Sequence, residues 1–205
     1  MKHAPLADIL STFFAAAVWA KTRNSRHALN AIRNITDVEV CSSFDDRFAA
    51  FWKTLLSKEQ RTLLAVRTQE ALNWHFGYAK RQQKLWVVAV TQNSSLVSYA
   101  IFLRQDNARF GLERVRLVDF QTLKKDSSDL VPMIAWAVRN CRARNIDMLE
   151  CVDWGLSSAA DRLTPAKRRL PCWMYYYKAK SRSLARTLAS SNAWKPTPFD
   201  GDSSL

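Results

Sequence analysis

The sequence predicts a mixed α/β sheet in which an antiparallel meander feeds one parallel crossover. Three observations carry this expectation. Three strand-like runs, Leu85 to Val90, Leu96 to Leu103 and Leu112 to Phe120, follow one another across short gaps, which favours antiparallel neighbours. A helical stripe and a further strand-like run come next, and a strand–helix–strand unit of that length closes by a right-handed crossover with parallel pairing. Of the 205 residues, 48% are apolar and 11% aromatic, enough to fill the core such a sheet needs.

The elements are read in chain order. Residues 1–35 are expected to form an N-terminal helical segment and linker. Leu6, Ile9, Leu10, Phe13 and Ala17 recur at helical spacing, and Asp8 interrupts what could otherwise pass for a signal peptide. No apolar run reaches the ~18 residues a membrane span requires. Residues 36–180 are the expected domain. Val38 and Val40 suit a short strand. Asp45 and Asp46 cap a helix whose Phe48, Phe51, Trp52 and Leu55 fall on one face. A second helix is expected from about Glu59, with Leu64, Ala71, Leu72 and His75 on one face.

The three strands follow, the first two joined by a turn at Gln92 to Ser95. A helix from about Ser128 carries Leu130, Ile134, Ala137, Val138 and Cys141 in its stripe, and Pro132 is tolerated near the first turn. Ile146 to Val152 reads as the parallel strand. A weaker helix is expected over Ser157 to Arg169 and a last aromatic strand over Cys172 to Lys178. Residues 181–205 supply a short helix near Leu184 to Leu188 and a polar tail.

Charge and cysteine usage bound the partners. Lys and Arg total 31 against 18 Asp and Glu, a formal net charge of +13. Such a charge concentrates anionic partners such as nucleic acid, an acidic membrane or a phosphorylated cofactor, although a basic surface needs none of them. Cys41, Cys141, Cys151 and Cys172 form no C-x-x-C pair and lie far in sequence from His3, His27 and His75, which argues against a zinc site and for no metal at all. Free thiols of this kind suit a reducing cytoplasm.

Three segments resemble one family. Arg67-Thr-Gln-Glu-Ala-Leu-Asn-Trp-His-Phe76 is similar to an Arg…Leu-x-Trp-Arg/His-Phe segment that precedes the sheet in FemAB-like members of the GNAT superfamily. Val118-Asp-Phe120 resembles the Ile/Val-Asp-Leu/Phe ending of their third sheet strand. Trp194-Lys-Pro-Thr-Pro-Phe-Asp-Gly-Asp-Ser-Ser-Leu205 is similar to a Trp-x-Pro-Thr/Ser…Asp-Gly-Asp terminus found there. The element order is also the GNAT order. The resemblance covers about residues 36–205 and implies a GNAT-like acyltransferase fold of the type found with polysaccharide-biosynthesis proteins. The chain is similar to the second, C-terminal lobe of a two-lobed member, which implies another GNAT-like lobe before it in a longer product, or else a separate GNAT-like lobe or a homodimer.

The resemblance implies acetyl-CoA held where two parallel strands part, here Leu112 to Phe120 and Ile146 to Val152. Strand alternation places Asp119 and Gln121 on one face with Val115 and Leu117, and Glu150 with Met148 and Val152. Burial makes a carboxylate a better proton acceptor, so Asp119 and Glu150 are candidate general bases. Each could equally be a buried carboxylate satisfied by backbone amides or by an arginine such as Arg67. Tyr176 is the candidate for protonating a departing thiolate, with sheet packing the plainer alternative. Gln121, Lys124, Lys125, Ser127 and Ser128 are the candidate cofactor-binding residues. GNAT enzymes usually put glycines in this loop to wrap the pyrophosphate. Here no glycine stands between Gly111 and Gly155, and Asp126 and Asp129 oppose phosphate. Trp74 and His75 are the candidate acceptor-binding residues, Trp74 as a stacking platform for a sugar ring or, alternatively, as core.

Three readings of different kinds emerge. The first is transfer of an acyl group, acetyl from acetyl-CoA, to a hydroxyl or amine of a small or saccharide acceptor. The second is a non-catalytic lobe that binds or scaffolds. A polyanion or tRNA binder is a third reading, motivated by the clusters Lys80/Arg81/Lys84, Arg139/Arg142/Arg144, Lys167/Arg168/Arg169 and Lys178/Lys180/Arg182, though no nucleic-acid motif accompanies them.

Overall fold

The structure is a computed structural model that describes residues 38–59, 62–152, 178–190 and 193–201. The N-terminal helical segment expected within residues 1–35, the helix expected over 157–169 and the strand expected over 172–178, save its last residue, lie outside the described residues.

A five-stranded sheet runs in the order β1 (Glu39–Cys41), β2 (Leu85–Gln92), β3 (Ser95–Arg104), β4 (Arg114–Thr122) and β5 (Met148–Cys151). The first three pairings are antiparallel and β4–β5 is parallel, the mixed sheet that the meander and crossover predict. At the β2–β3 turn, Asn93 and Ser94 both take positive φ (50° and 63°), the twist that a two-residue hairpin needs.

Helices cover both faces. On one side lie α1 (Asp46–Lys58) and α2 (Gln69–Arg81). Asp45 caps α1 by accepting from the Arg47 amide at 3.0 Å, and Phe48, Phe51, Trp52 and Leu55 are its buried stripe, as the periodicity predicts. They pack on Val87, Ala89, Tyr99 and Ile101 of the sheet. On the opposite face α3 (Leu130–Ala143) lays Leu130, Met133, Ile134, Ala137 and Cys141 against Val88, Val90, Ala100, Phe102, Val115 and Leu117. Trp86 meets Trp136 edge-on at 5.6 Å. Burying each such side chain contributes about 1.5–3 kcal/mol. Asn145, at φ 56°, ends α3 in the left-handed conformation and turns the chain into β5.

Two sequence expectations are corrected. The second helix begins at Gln69 rather than near Glu59, with Thr68 as its cap. The preceding segment is held outside a helix by pairing with the C-terminal strap. The Leu63 amide donates to the Ala193 carbonyl at 2.7 Å, and Leu63 bridges Trp194 in parallel. Leu64 therefore precedes the helix, whose buried pair is Leu72 and Phe76.

The second correction concerns alternation along β4. Its register against β3 shifts between Ile101 and Phe102, which pair with Asp119 and Leu117, so Val118 is an extra residue in a β-bulge. Val115 and Leu117 face α3. Beyond the bulge the parity reverses, and Asp119 and Gln121 stand opposite Ile101 and Tyr99, on the α1/α2 face. Asp119 and Gln121 thus do not share a face with Val115 and Leu117.

The C-terminal strap completes the described fold. After α4 (Arg182–Leu188), Trp194 donates its indole N–H to the Leu188 carbonyl at 2.8 Å. A 3-10 turn, Pro198–Asp200, then docks against β4.

Candidate functional site

The β4–β5 ladder is short. Arg114 to Leu117 pair with Met148 to Cys151, and there β5 ends. β4 runs on to Thr122, held on its other side by β3. Among the described residues, Val118 to Thr122 therefore has a strand partner on one side only. Such an edge offers backbone donors and acceptors to an extended, amide-bearing ligand.

Beside this open stretch lies a sealed polar knot. Arg67 Nε donates to Asp119 Oδ2 at 2.9 Å and Arg67 Nη2 to Asp119 Oδ1 at 3.1 Å. Both side chains are fully buried. Nη2 also reaches Asp200 Oδ1 and Thr197 Oγ1, each at 3.0 Å, and Nη1 donates to the Ala65 carbonyl at 2.9 Å. Thr197 Oγ1 and the Gln121 side-chain Nε2 each donate to Asp119 Oδ1 at 3.0 Å. Burial works against the Arg67 charge, but the two carboxylates outweigh it and hold the guanidinium protonated. Phe199 roofs the knot, with the Arg67 guanidinium 4.7 Å from its ring centre.

The structure thus places Asp119 as the partner of Arg67, inaccessible to solvent and accepting four hydrogen bonds. That is the arginine-satisfied alternative, and it is not the posture of a proton acceptor for an incoming group. Asp200, supplied by the strap, is different. Its Oδ2 accepts from the Thr197 amide at 2.6 Å, and its side chain keeps 14% exposure. Burial pushes its carboxyl above the ordinary carboxylate range, against the pull of Arg67. Sequence reasoning assigned Asp200 no chemistry. The Asp-Gly-Asp terminus was the available signal, but only the fold shows it returning to β4.

Glu150 is partly exposed and ion-paired. It stands across from Arg116 in the β4–β5 register, on the same sheet face as Asp119. Its Oε2 is 3.1 Å from Arg114 Nη1 and 3.3 Å from Arg116 Nε. The register puts it beside the paired half of β4, before the open stretch begins. Each of the two candidate bases is thus ion-paired, Asp119 to Arg67 and Glu150 to Arg114 and Arg116. Tyr176 lies outside the described residues.

The loop from β4 into α3 is described in full. Gln121 is buried and turned into the knot. The Lys124 amide donates to Thr122 Oγ1 at 3.0 Å, and its ammonium is 2.6 Å from Asp129 Oδ1. Asp129 Oδ2 accepts from Ser98 at 2.5 Å. The Ser128 amide donates to Asp126 Oδ1 at 2.9 Å, and the Ser127 carbonyl accepts from Leu130. Lys125 is exposed. Acidic side chains thus take donors that a phosphate would need, so the residues present do not fit the pyrophosphate of a coenzyme A donor.

On α2, Trp74 is 83% exposed and is not core. His75 is half-buried and meets the Phe199 ring of the strap at 4.8 Å, tilted by 57°. The two acceptor-binding candidates are therefore split between surface and strap. Burial pushes the thiols of Cys41 and Cys141 up to about 11 and that of Cys151 to about 12, which leaves none of the three a thiolate nucleophile. No described helix is long and apolar enough to cross a membrane.

No protein-family model and no curated protein sequence matches the chain. Solved structures match it by fold. A predicted acetyltransferase of Clostridium acetobutylicum, solved with acetyl-CoA, superposes with a TM-score of 0.51 at 12% identity, covering 69% of this chain and 95% of that one. An aminoglycoside acetyltransferase from an uncultured soil metagenomic sample, solved with trehalose, gives 0.52 at 10% identity over 72% and 99%. Glucosamine-6-phosphate N-acetyltransferase of Arabidopsis thaliana gives 0.50 at 9% identity over 69% and 100%. Identities this low speak to architecture alone. With its antiparallel meander, its parallel crossover and these neighbours, the chain has the fold of GNAT acetyltransferases.

Proposed function

We propose that this chain is an acyltransferase lobe that moves an acyl group from a thioester donor to a hydroxyl or amine of a small, sugar-like acceptor. One observation carries the reading: β4 continues from Val118 to Thr122 after its parallel partner β5 has ended at Cys151. An acyl thioester arm laid along that edge would bring its carbonyl to the face that holds the Arg67 knot. Two neighbours of the same fold bear the names of amino-sugar acetyltransferases, which favours this acceptor class.

The reaction needs an acceptor oxygen or nitrogen to attack the thioester carbonyl while losing its proton. The carbon–sulfur bond breaks and the thiol leaves with a proton. We assign the proton-accepting role to Asp200, the knot's partly exposed carboxylate, and a positioning role to Asp119, which fixes Arg67. Tyr176 is retained as the candidate proton donor to the thiolate.

A non-catalytic lobe is the second reading, favoured by the closed loop between β4 and α3. Incubating the protein with acetyl-CoA or acetyl-pantetheine and a panel of amino sugars, then weighing the products, separates the two. Transfer reduced about a hundredfold or more in Asp200→Asn supports the enzyme. No acetylated product from either donor with any acceptor supports the non-catalytic lobe.

A further inference from the structure

A nucleotide diphosphate is gripped by free backbone amides and cations at a helix N-terminus, usually through glycines that let the backbone come close. The loop at residues 121–131 would have to do this here, since it leaves the open end of β4 and enters α3. It has already spent much of that capacity on itself. Asp129 occupies the N-cap position of α3, where the helix dipole favours an anion, and its buried carboxylate takes the Lys124 ammonium and the Ser98 hydroxyl. Asp126 takes the Ser128 amide, and the hydrogen bonds from Ser128 hold its exposed carboxyl below the ordinary range. The Leu130 and Val131 amides donate to the Ser127 and Ser128 carbonyls. Every residue from Leu112 to Trp154 carries a Cβ, so no part of the loop can thin to bare backbone. An incoming diphosphate would meet two carboxylates and would have to displace the Lys124–Asp129 pair.

We infer that this loop does not hold a nucleotide diphosphate, and that the donor is recognised through its acylated pantetheine arm alone. The second half rests on the acyltransferase reading; the first half stands without it. Among the described residues the far half of β4 has no partner on its β5 side, and such an edge suits the arm, because an extended chain with two amides can pair with a free strand. The arm could come free or on a carrier protein, and the chemistry at the gap is the same. The acceptor oxygen or nitrogen bonds to the acyl carbon and gives up its proton, the carbon–sulfur bond breaks, and the arm leaves as the protonated thiol.

Two measurements test this. The first is calorimetry of the wild-type chain with coenzyme A and with adenosine 3′,5′-bisphosphate. The expected result is no binding tighter than about 1 mM for either. An affinity below about 100 μM that is lost in Lys124→Ala/Lys125→Ala overturns the inference. The double variant Asp126→Gly/Asp129→Asn keeps the Ser98 contact, frees the Ser128 amide and removes both charges. It is expected to gain coenzyme A affinity at least tenfold, after its thermal melt shows that it folds. A folded double variant with no gain contradicts the assignment of the two carboxylates as the block.

The second measurement compares kcat/KM for acetyl-CoA, acetyl-pantetheine and an acetyl-loaded carrier protein. Equal values for the first two, within about threefold, support recognition through the arm. A higher value for the loaded carrier identifies the protein-borne source. A preference for acetyl-CoA of about fiftyfold or more overturns recognition through the arm and leaves the acyltransferase reading intact. Absence of transfer from all three donors sinks the acyltransferase reading and the arm half with it, while the calorimetry still decides the loop half.

Discussion

Arg67 and Asp119 meet through two hydrogen bonds of 2.9 and 3.1 Å with neither side chain reaching solvent, although 52 residues separate them in sequence. The pair pins the segment before α2 to the open half of β4. Removing Arg67 leaves Asp119 buried without a counter-charge, and removing Asp119 leaves the buried guanidinium with Asp200 as its carboxylate partner. Arg67→Ala and Asp119→Ala are each expected to cost about 3–5 kcal/mol. A double substitution to apolar residues of similar volume, Arg67→Met with Asp119→Leu, should recover much of that loss. Urea unfolding of the three variants checks this, and additive losses in the double variant would contradict a buried ion pair.

The strap is a packed part of the fold. Phe199 contacts the rings of His75 and Phe76 and lies over Arg67. Phe199→Ala is expected to destabilise the chain by about 1–3 kcal/mol. It should also raise the amide exchange rates of Thr197 and Asp200, whose backbone bonds close the turn.

The pH dependence has two parts of opposite sign. Burial raises the Asp200 carboxyl above its ordinary value, so the folded state holds that proton more tightly than the unfolded chain does. Its contribution to stability is greatest at low pH and is lost as pH rises through the folded pKa. The wild-type advantage over Asp200→Asn is therefore expected to shrink from about pH 4 towards pH 7. Glu39 and Asp45 behave conversely. Hydrogen bonds from Arg47 hold both below the ordinary range, so their contribution is present at neutral pH and lost as pH falls through their folded values. Both groups are partly exposed, and Arg47→Ala should cost no more than about 1 kcal/mol near pH 7. Melting curves for the three proteins across that range decide the signs.

Trp74 and Phe76 make a paired test of α2. Trp74→Ala is expected to change stability by less than about 0.5 kcal/mol, because the ring is exposed. Phe76→Ala, which empties a buried position between Phe44 and Phe199, should cost about 3–5 kcal/mol. If Trp74 stacks on the acceptor, its loss raises KM for the sugar and leaves kcat unchanged.

Much of the fold was legible because periodicity and capping are local. Asp45 and the Phe48, Phe51, Trp52, Leu55 stripe announce α1, and the Gln92 to Ser95 turn separates two apolar runs. The late start of α2 was not legible, since the partners that Leu63 pairs with before the helix are Ala193 and Trp194, far along the chain. The face of Asp119 was misread because one extra residue at Val118 inverts alternation, and nothing local marks a bulge there. The same limit hid Asp200, whose chemistry exists only once the strap returns to Arg67. The closed loop was half legible: the missing glycines and the aspartates could be read, but not that Asp129 bonds Lys124.

Nuclear magnetic resonance titration with acetyl-pantetheine tests most directly whether the end of β5 leaves room for a ligand. The backbone amides of Val118 to Thr122 and of Cys151 should shift together and saturably, while those of Arg114 to Leu117 in the closed ladder stay fixed. Saturable shifts confined to other surfaces, or none up to millimolar ligand, would contradict an open gap beside β4.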